Sequence, residues 1–292
     1  MGFFDATSHQ PSSDLHDYTW TIYGPPGVGK TTFASEGDYL IIAFERGYTA
    51  METSAVDLTL DRHPDPRATD KAQAAWLGST PWERFLLTIA EIRMLAKLPW
   101  SGVCIDTVDA AYLACTEHVL AEKGWSHVDD GGDYGKGYDA VNTVFKAAVL
   151  RLSRLGVGLG FISHSRDRDF KGRGGVKYQK IVPSLTPSVG KWIIGLSDLV
   201  LFADTVPGAQ GDAVRVVHTQ PSYRFDAKAR GRRSTPLPSP LFLDYARFAA
   251  TFKAVMQGKP VGPEDLPIVL EVETRPETTT RSADSGAHWP SE

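Results

Sequence analysis

A glycine-rich segment that ends in a lysine and two threonines is the part of this sequence best suited to chemistry. Residues 24–31, GPPGVGKT, fit the pattern G-x-x-x-x-G-K-S/T at every fixed position. Glycines let backbone N–H groups converge on phosphate oxygens at the start of a helix. Lys30 would then reach the β- and γ-phosphates of ATP. The residues expected to bind ATP are Gly24, Pro25, Pro26, Gly27, Val28, Gly29, Lys30, Thr31 and Thr32.

Two oxygen ligands for Mg²⁺ are expected beside this loop. Thr31 would supply a hydroxyl, and Asp106, which follows the apolar run at 102–105, would hold the metal through its water shell. The alternative is that Asp106 caps the helix after it, since aspartate is a common N-cap. Asp109 is better placed as a cap, which leaves Asp106 for the metal.

A carboxylate that activates water is needed for hydrolysis, and Glu45 is the candidate. It comes directly after the apolar run at 39–44. Because the carboxyl ends of parallel strands share one edge of a sheet, we expect Glu45 to lie near Lys30 and Asp106. The alternative is a surface glutamate that pairs with Arg46 or another base. Glu52 is a weaker competitor for the catalytic role.

A histidine ends another apolar run and should reach the same edge. His164 follows 157–163, and from there it could contact the γ-phosphate and pass its presence to the polar loop behind it. The alternative is a histidine that only makes a hydrogen bond at the end of a strand.

Short apolar runs alternate with helical patterns along the chain. The sequence predicts strands at 18–23, 39–44, 102–105, 157–163, 199–202 and 214–217. It predicts helices from about Lys30, from Thr80 to before Pro99, and over 109–123 and 138–155. Residues 61–79, 124–137 and 165–177 are expected to be loops. This alternation favours an α/β fold of the P-loop NTPase class, with a mostly parallel central sheet flanked by helices.

Composition excludes several classes of protein. The chain has 292 residues, is 42% hydrophobic and 23% charged, and carries a net charge of −4. These fractions argue against wholesale disorder, and the charge argues against bulk attraction of nucleic acid without excluding a local basic patch. No apolar run reaches the roughly 18 residues of a membrane span, and the first residues do not resemble a secretory signal. Two cysteines are too few for a disulfide framework, so we expect a reducing, cytoplasmic location.

One large domain with two tails is the expected organisation. Residues 1–17 are polar and aperiodic and are expected to form a flexible arm. Residues 18–255 hold the strands, helices and motifs. Residues 256–292 turn polar and mildly acidic and are expected to be mostly disordered.

The order of these motifs resembles the RecA-like ATPase core, and more narrowly the phage-encoded Sak-group ATPases associated with single-strand annealing. The likeness covers about residues 18–255. It rests on GPPGVGKTT (24–32), FERG (44–47), CIDTVD (104–109), DYGKGYDAVN (133–142), FISHSRDR (161–168), KARGRR (228–233) and LPSPLFLD (237–244). It implies a DNA recombination ATPase that hydrolyses ATP with Mg²⁺ and acts on single-stranded DNA.

The resemblance also implies roles for single residues. Glu45 matches the family's catalytic glutamate and Asp106 its second magnesium anchor, while His164 stands where RecA has a glutamine sensor. Lys228 and Arg230 resemble the basic pair that reaches the γ-phosphate of a neighbouring subunit. A homo-oligomer, as a ring or a filament, would then be needed to complete the site.

Two loops would bind single-stranded DNA if the resemblance holds. The loop at 165–177 combines basic side chains, an aromatic ring and glycines, which suits sequence-independent binding of single strands. Its candidate contacts are Arg166, Arg168, Phe170, Lys171, Arg173 and Lys177. The loop at 124–137 is acidic but holds Trp125, Tyr134 and Lys136. The alternative is that both are merely solvated, charged loops.

Two other functions remain open. One is a nucleotide-gated annealing module that hydrolyses ATP hardly at all, and the other is a P-loop kinase for small molecules. A kinase should be monomeric and indifferent to DNA, whereas a RecA-like protein should change size or rate with DNA. A single-strand-binding protein is a candidate partner for the acidic tail.

Overall fold

The computed structural model describes residues 10–132, 135–171, 177–230 and 236–268. Its strands are β1 (Thr19–Gly24), β2 (Tyr39–Ala43), β3 (Ala55–Asp57), β4 (Gly102–Asp106), β5 (Gly158–Lys171), β6 (Lys177–Pro183), β7 (Leu199–Pro207), β8 (Ala213–His218), β9 (Lys228–Ala229) and β10 (Leu241–Phe242). Its α-helices are α1 (Lys30–Glu36), α2 (Asp70–Leu77), α3 (Pro81–Met94), α4 (Val108–Lys123), α5 (Lys136–Ser153), α6 (Pro187–Leu196) and α7 (Tyr245–Met256).

The strands form one sheet in the order β10-β8-β7-β1-β5-β4-β2-β3, with β6 beside β5 and β9 beside β7. The central strands, from β7 to β3, are parallel, and β6, β8, β9 and β10 add antiparallel pairs. The predicted α/β P-loop NTPase fold with a mostly parallel sheet is confirmed. Parallel pairing brings the ends of β1, β2, β4 and the first part of β5 to one side, which we call the carboxyl edge.

Each face of the sheet buries its own hydrophobic core. Alternate side chains of β2 go to opposite faces, as the two-residue period of a strand requires. Leu40 and Ile42 pack in the core that includes residues of α3, α4, α5 and α6. Ile41 and Ala43 pack in the core that includes residues of α1 and α7. Burial on both faces explains why β2 is apolar at every position.

Several boundaries differ from those expected. The polar segment 61–79 contains α2, whose Trp76 is buried in the core. The segment 165–177, expected to be a loop, is largely the paired ends of β5 and β6. Helices α6 and α7 are not predicted from the sequence. The capping box at Thr80 is confirmed, because Thr80 and Glu83 each bond the other's backbone N–H.

The tails are shorter than expected within the described residues. A 3₁₀ helix forms at Leu15–Asp17, and Leu15 is buried against the core. Its neighbour His16 lies 2.8 Å from the carbonyl oxygen of Gly37 through Nε2. This end of the predicted flexible arm is therefore packed on the domain, because Leu15 supplies apolar surface. At the other end, Leu266 still packs against the core, and residues 269–292 lie outside the described part.

No helix in the part of the chain that the structure describes is long and apolar enough to cross a membrane.

Candidate active site

The glycine-rich loop joins the end of β1 to the start of α1, as expected. Gly27 and Gly29 have φ angles of 76° and 113°, which side chains larger than hydrogen rarely adopt. A Cβ on Gly24 would lie 2.2 Å from the carbonyl oxygen of Ala203 on β7, so the strand can end here only with glycine. These requirements account for the glycines of the motif and shape the loop that would hold phosphate.

Lys30 lies over this loop. Its ammonium donates hydrogen bonds to the carbonyl oxygens of Gly24, at 2.9 Å, and Pro25, at 2.8 Å. Burial lowers the pKa of Lys30, while the nearby carboxylates of Asp106 and Asp109 act in the opposite direction. A desolvated cation in this place is suited to meeting the negative charge of a phosphate.

A magnesium ion fits the space beside Thr31 and Asp106. The Thr31 hydroxyl donates to Oδ2 of Asp106 at 2.7 Å, so the two oxygens predicted as metal ligands are already adjacent. A Cβ on Gly47 would stand 3.2 Å from Oγ1 of Thr31 and 3.6 Å from Oδ2 of Asp106. Gly47 thus leaves open a space bordered by a hydroxyl and a carboxylate, the oxygen ligands that Mg²⁺ prefers. The one feature of the sequence that could have pointed to a role for Gly47 is its position directly after Glu45 and Arg46.

Burial dominates the chemistry of Asp106. The residue is 2% exposed. Desolvation raises its pKa from 3.8 to about 6, even though the Thr31 hydroxyl and Lys30 favour the ionised form. A bound metal ion would supply the positive charge that this buried carboxylate lacks in the free protein.

Replacing Asp106 by asparagine is expected to stabilise the free protein at pH 7–8 by about 1–3 kcal/mol, because it removes a buried charge. The raised pKa sets the sign: the ionised carboxylate costs stability as the pH rises from about 4 to about 6. Asparagine can still accept the Thr31 hydroxyl. Urea unfolding at pH 4, 6 and 8 measures the difference, which should shrink towards pH 4. Equal stability at pH 8 would contradict the account, and weaker binding of Mg²⁺–ATP by the variant should accompany the gain.

Glu45 lies at the carboxyl edge, next to Asp106. Its backbone N–H donates to the Asp106 carbonyl oxygen at 3.2 Å. Its carboxylate accepts a hydrogen bond from Thr107 at 3.0 Å and lies 3.0 Å from Nε2 of His164. The side chain is 43% exposed, so water can reach it.

Of the competing interpretations of Glu45, the pairing with Arg46 is not observed, whereas a pairing with another base is, because Glu45 lies 3.0 Å from Nε2 of His164. Arg46 forms its ion pair with Asp57, at 3.3 Å, and not with Glu45. Glu52 lines a surface cleft with Ser35 and Tyr39, at the start of β2 and away from the carboxyl edge.

His164 is held in place by its backbone. It is the register partner of Gly24 on β1, at the start of the glycine-rich loop. Its N–H donates to Oδ2 of Asp109 at 2.8 Å, and the Ser163 hydroxyl donates to the other oxygen of the same carboxylate at 2.9 Å. The expectation that Asp109 caps α4 is therefore wrong. Thr107 is the N-cap, and Asp109 instead ties α4 to β5.

Beyond His164, β5 leaves the main sheet and pairs with β6, and we call the paired segments 165–171 and 177–183 the hairpin. Residues directly opposite on paired strands share a face, and alternate residues change face. We call one side the basic face; it consists of Arg166, Arg168, Phe170, Tyr178, Lys180 and Val182. The other side carries Asp167, Asp169, Lys171, Lys177, Gln179 and Ile181.

The hairpin separates residues that the sequence places in one basic loop. Arg166, Arg168 and Phe170 share the basic face, and the Arg168 guanidinium lies 5.4 Å from the centre of the Phe170 ring. Lys171 and Lys177 pair with each other on the opposite face. Arg173 lies outside the described residues. The strands of the hairpin could not be predicted from the sequence, because their side chains are mostly polar and show no apolar alternation.

Lys228 and Arg230 lie away from the phosphate loop, towards the start of β7. Lys228 pairs with Val200 near the start of β7, whereas the phosphate loop follows the other end of the neighbouring strand β1. Lys228 donates to the carbonyl oxygen of Ile194, at 2.9 Å, and Arg230 forms an ion pair with Asp198, at 3.0 Å. The structure therefore does not bring these two residues into the site of their own chain.

The first predicted DNA loop, 124–137, is partly built into the fold. A 3₁₀ helix forms at Val128–Gly131, and Lys136 is the first residue of α5. A Cβ on Gly131 would lie 2.8 Å from the Trp125 ring, so this ring packs against the loop's own backbone. Tyr134 lies outside the described residues.

Comparison with known families decides the assignment. The model of an AAA domain family, AAA_24, matches residues 16–231, which include the glycine-rich loop, Glu45, Asp106 and His164. The chain belongs to this family. It is therefore a member of a P-loop ATPase family, and nucleotide binding, typically with Mg²⁺, is what this family membership implies.

Solved structures give weaker likenesses. The flagellar accessory protein FlaH from Methanocaldococcus jannaschii is similar over 70% of this chain and 77% of its own, with 9% identity and a TM-score of 0.35. An ATPase from the type III secretion system of pathogenic bacteria is similar over 65% of this chain and 52% of its own, with 15% identity and a TM-score of 0.33. No curated protein matches the sequence.

Proposed function

We propose that this protein hydrolyses ATP with Mg²⁺ and acts on single-stranded DNA as a homo-oligomer. The observation that carries the proposal is the course of β5. The strand begins in the central sheet, presents His164 to Glu45 at the carboxyl edge, and continues without a break into the basic face of the hairpin. A change at the nucleotide therefore has a direct covalent route to the surface best suited to DNA.

Hydrolysis follows from the side chains at the carboxyl edge. Lys30 would leave the carbonyls of Gly24 and Pro25 to bind phosphate oxygens. Thr31 and Asp106 would hold Mg²⁺, which neutralises charge that develops on the phosphates. Glu45 would orient a water molecule and accept its proton. Thr107 fixes one oxygen of that carboxylate and His164 contacts the other, so a ligand that moves His164 also frees an oxygen of Glu45.

DNA binding is supported by the chemistry of the basic face. It combines Arg166 and Arg168 with two aromatic rings, Phe170 and Tyr178, which stack at 5.8 Å and 22°. The third basic residue of this face, Lys180, is paired with Asp226. Cations for the backbone and flat rings for bases are what proteins use to bind single strands without sequence preference. The resemblance to phage Sak-group ATPases favours recombination by strand annealing as the biological reaction.

Oligomerisation is supported by the location of Lys228 and Arg230. Because they lie away from the phosphate loop, they have no role in the nucleotide site of their own chain. In an oligomer, one subunit could present its Lys228 and Arg230 to the nucleotide site of its neighbour. Arg230 is exposed and its partner Asp198 is partly exposed, so this ion pair can exchange for a phosphate at small cost.

A second function is favoured by the two contacts of Glu45. If Thr107 and His164 stay in contact with the Glu45 carboxylate when ATP binds, Glu45 cannot activate water. The protein would then be a nucleotide-gated annealing module with little hydrolysis. Turnover at saturating ATP separates the two functions.

The DNA proposal is tested by fluorescence anisotropy with a labelled single-stranded oligonucleotide. We expect binding that weakens steeply with salt, together with a larger sedimentation coefficient in the presence of DNA and an ATP analogue. Arg168→Ala should weaken binding and lower the salt slope by about one, and Arg151→Ala, on the exposed side of α5, should change neither. A wild-type protein that stays monomeric and ignores the oligonucleotide would overturn the proposal.

A further inference from the structure

A groove of about 510 Å³ lies between the basic face of the hairpin, helix α6 and the segment 221–228. The segment is attached to the outer side of β6, where the Ile181 N–H donates to the Arg224 carbonyl oxygen at 2.7 Å. Lys180 and Asp226 form an ion pair at 2.6 Å across the same junction. The groove is therefore built from three elements that are bonded to one another.

Positive charge dominates the lining of this groove. Its four basic residues are Arg166, Arg168, Lys191 and Lys228, and the acidic residue among the lining, Asp226, is paired with Lys180. Arg166 donates to the carbonyl oxygen of Leu185, at 2.7 Å, and Lys228 to that of Ile194. Because carbonyls are neutral, these bonds fix the two cations in place without cancelling their charge. The groove is therefore suited to an anionic ligand.

Most of the rest of the lining is apolar. It includes Phe170, Val182, Leu185, Ile194 and Val200. The Phe170 ring has two neighbours on the basic face, the Arg168 guanidinium at 5.4 Å and the Tyr178 ring at 5.8 Å. A ligand that fills the groove must therefore combine negative charge with an apolar part.

The start of α6 adds to the same preference. Thr186 and Pro187 line the groove, and Thr186 is the N-cap of α6 but makes no side-chain capping bond. Pro187 has no N–H to offer, so this end of the helix contributes through its dipole, whose positive end favours an anion.

We infer that this groove holds one nucleotide unit of the bound single strand, with its base on the apolar lining beside Phe170 and its phosphate among Arg166, Arg168 and Lys191. The inference rests on the proposed function and assigns it a site. The volume lies within the range of small-molecule pockets, about 300–1,000 Å³. Contact with the face of a base is independent of sequence, because every base has one.

Two glycines of α6 provide a matched test. A Cβ on Gly190, which lines the groove, would meet only Cβ of Leu185 at 3.6 Å, and a Cβ on Gly195 would meet nothing within 4 Å. Leucine at 190 should fill the groove, and leucine at 195 should leave it open. The probes are a 15-nucleotide oligothymidylate and an abasic strand of the same length, measured by anisotropy with an ATP analogue present.

Wild-type protein should bind the oligothymidylate about tenfold more tightly than the abasic strand, as expected for stacked bases. Gly190→Leu should lose this preference and Gly195→Leu should keep it. Lys191 is exposed, so Lys191→Glu should leave the core intact, and it should weaken binding of both strands. This variant is the test of the groove if Gly190→Leu does not fold.

The outcomes separate this inference from the proposed function. Binding of the two strands with equal affinity by the wild type, or an unchanged preference in Gly190→Leu, would overturn the groove assignment while DNA binding stands. Failure of the wild type to bind either strand would overturn both. If Gly190→Leu loses binding of a hexaglutamate peptide but keeps the preference for oligothymidylate, the groove is a site for acidic peptides and the inference is wrong.

Discussion

Glu45→Gln is expected to lower the rate of ATP hydrolysis by about 10²–10⁴-fold, the usual contribution of a general base, with ATP affinity nearly unchanged. Glutamine has the same shape and can still accept the Thr107 hydroxyl, but its amide cannot take a proton from water. The Glu45 side chain is 43% exposed, so the loss should appear in turnover and not in folding. Phosphate release measures turnover, and titration with a fluorescent ATP analogue measures affinity.

Glu52→Gln is the matched control for this experiment. Glu52 lines a cleft at the start of β2, so its loss should leave turnover as it is in the wild type. Normal hydrolysis by Glu45→Gln would move the water-activating role to another residue. Near-zero hydrolysis by the wild type and both variants would favour the nucleotide-gated module.

Lys30→Ala should abolish hydrolysis, with a loss of about 10²–10³-fold or more, because the phosphates lose a preorganised cation. ATP binding should weaken as well, since Lys30 is the cation that lies over the phosphate loop. The fold should survive because two effects on its stability oppose each other. Removing Lys30 removes a desolvated charge, which favours the folded state, and deprives Asp106 of a nearby cation, which disfavours it.

Thermal unfolding and ATP titration check this prediction together. Lys71→Ala, an exposed change on α2, is the control and should behave like the wild type. A midpoint for Lys30→Ala within about 2 °C of the wild type would show that stability changed by only about 1 kcal/mol. Wild-type turnover in Lys30→Ala would contradict the assignment of the phosphate loop.

The parts of the site that could be predicted from the sequence are those with a fixed spacing or a fixed place on the sheet. The glycine-rich loop has its own pattern, and the placement of Glu45, Asp106 and His164 follows from the rule that parallel strands end at one edge. Their adjacency is confirmed by the 3.0 Å contact between Glu45 and His164. The buried strands could be predicted because a short, continuous apolar run is typical of a strand that is covered on both faces of the sheet.

The parts that could not be predicted depend on contacts between distant segments. The hairpin pairs polar strands, and a pattern of apolar residues gives no sign of it. Thr107 and Asp109 are both good helix caps, and only the position of His164 shows that Asp109 has a different partner. The groove beside α6 combines residues from three separate stretches, so no single motif could indicate it.

Steady-state ATP hydrolysis by the wild-type protein, with and without single-stranded DNA at low and moderate salt, tests the central claim most directly. The account predicts Mg²⁺-dependent hydrolysis that single strands stimulate, with a stimulation that fades as salt weakens the phosphate contacts of the basic face. Hydrolysis at the same rate with and without DNA would contradict the proposed link between the nucleotide and the hairpin through β5.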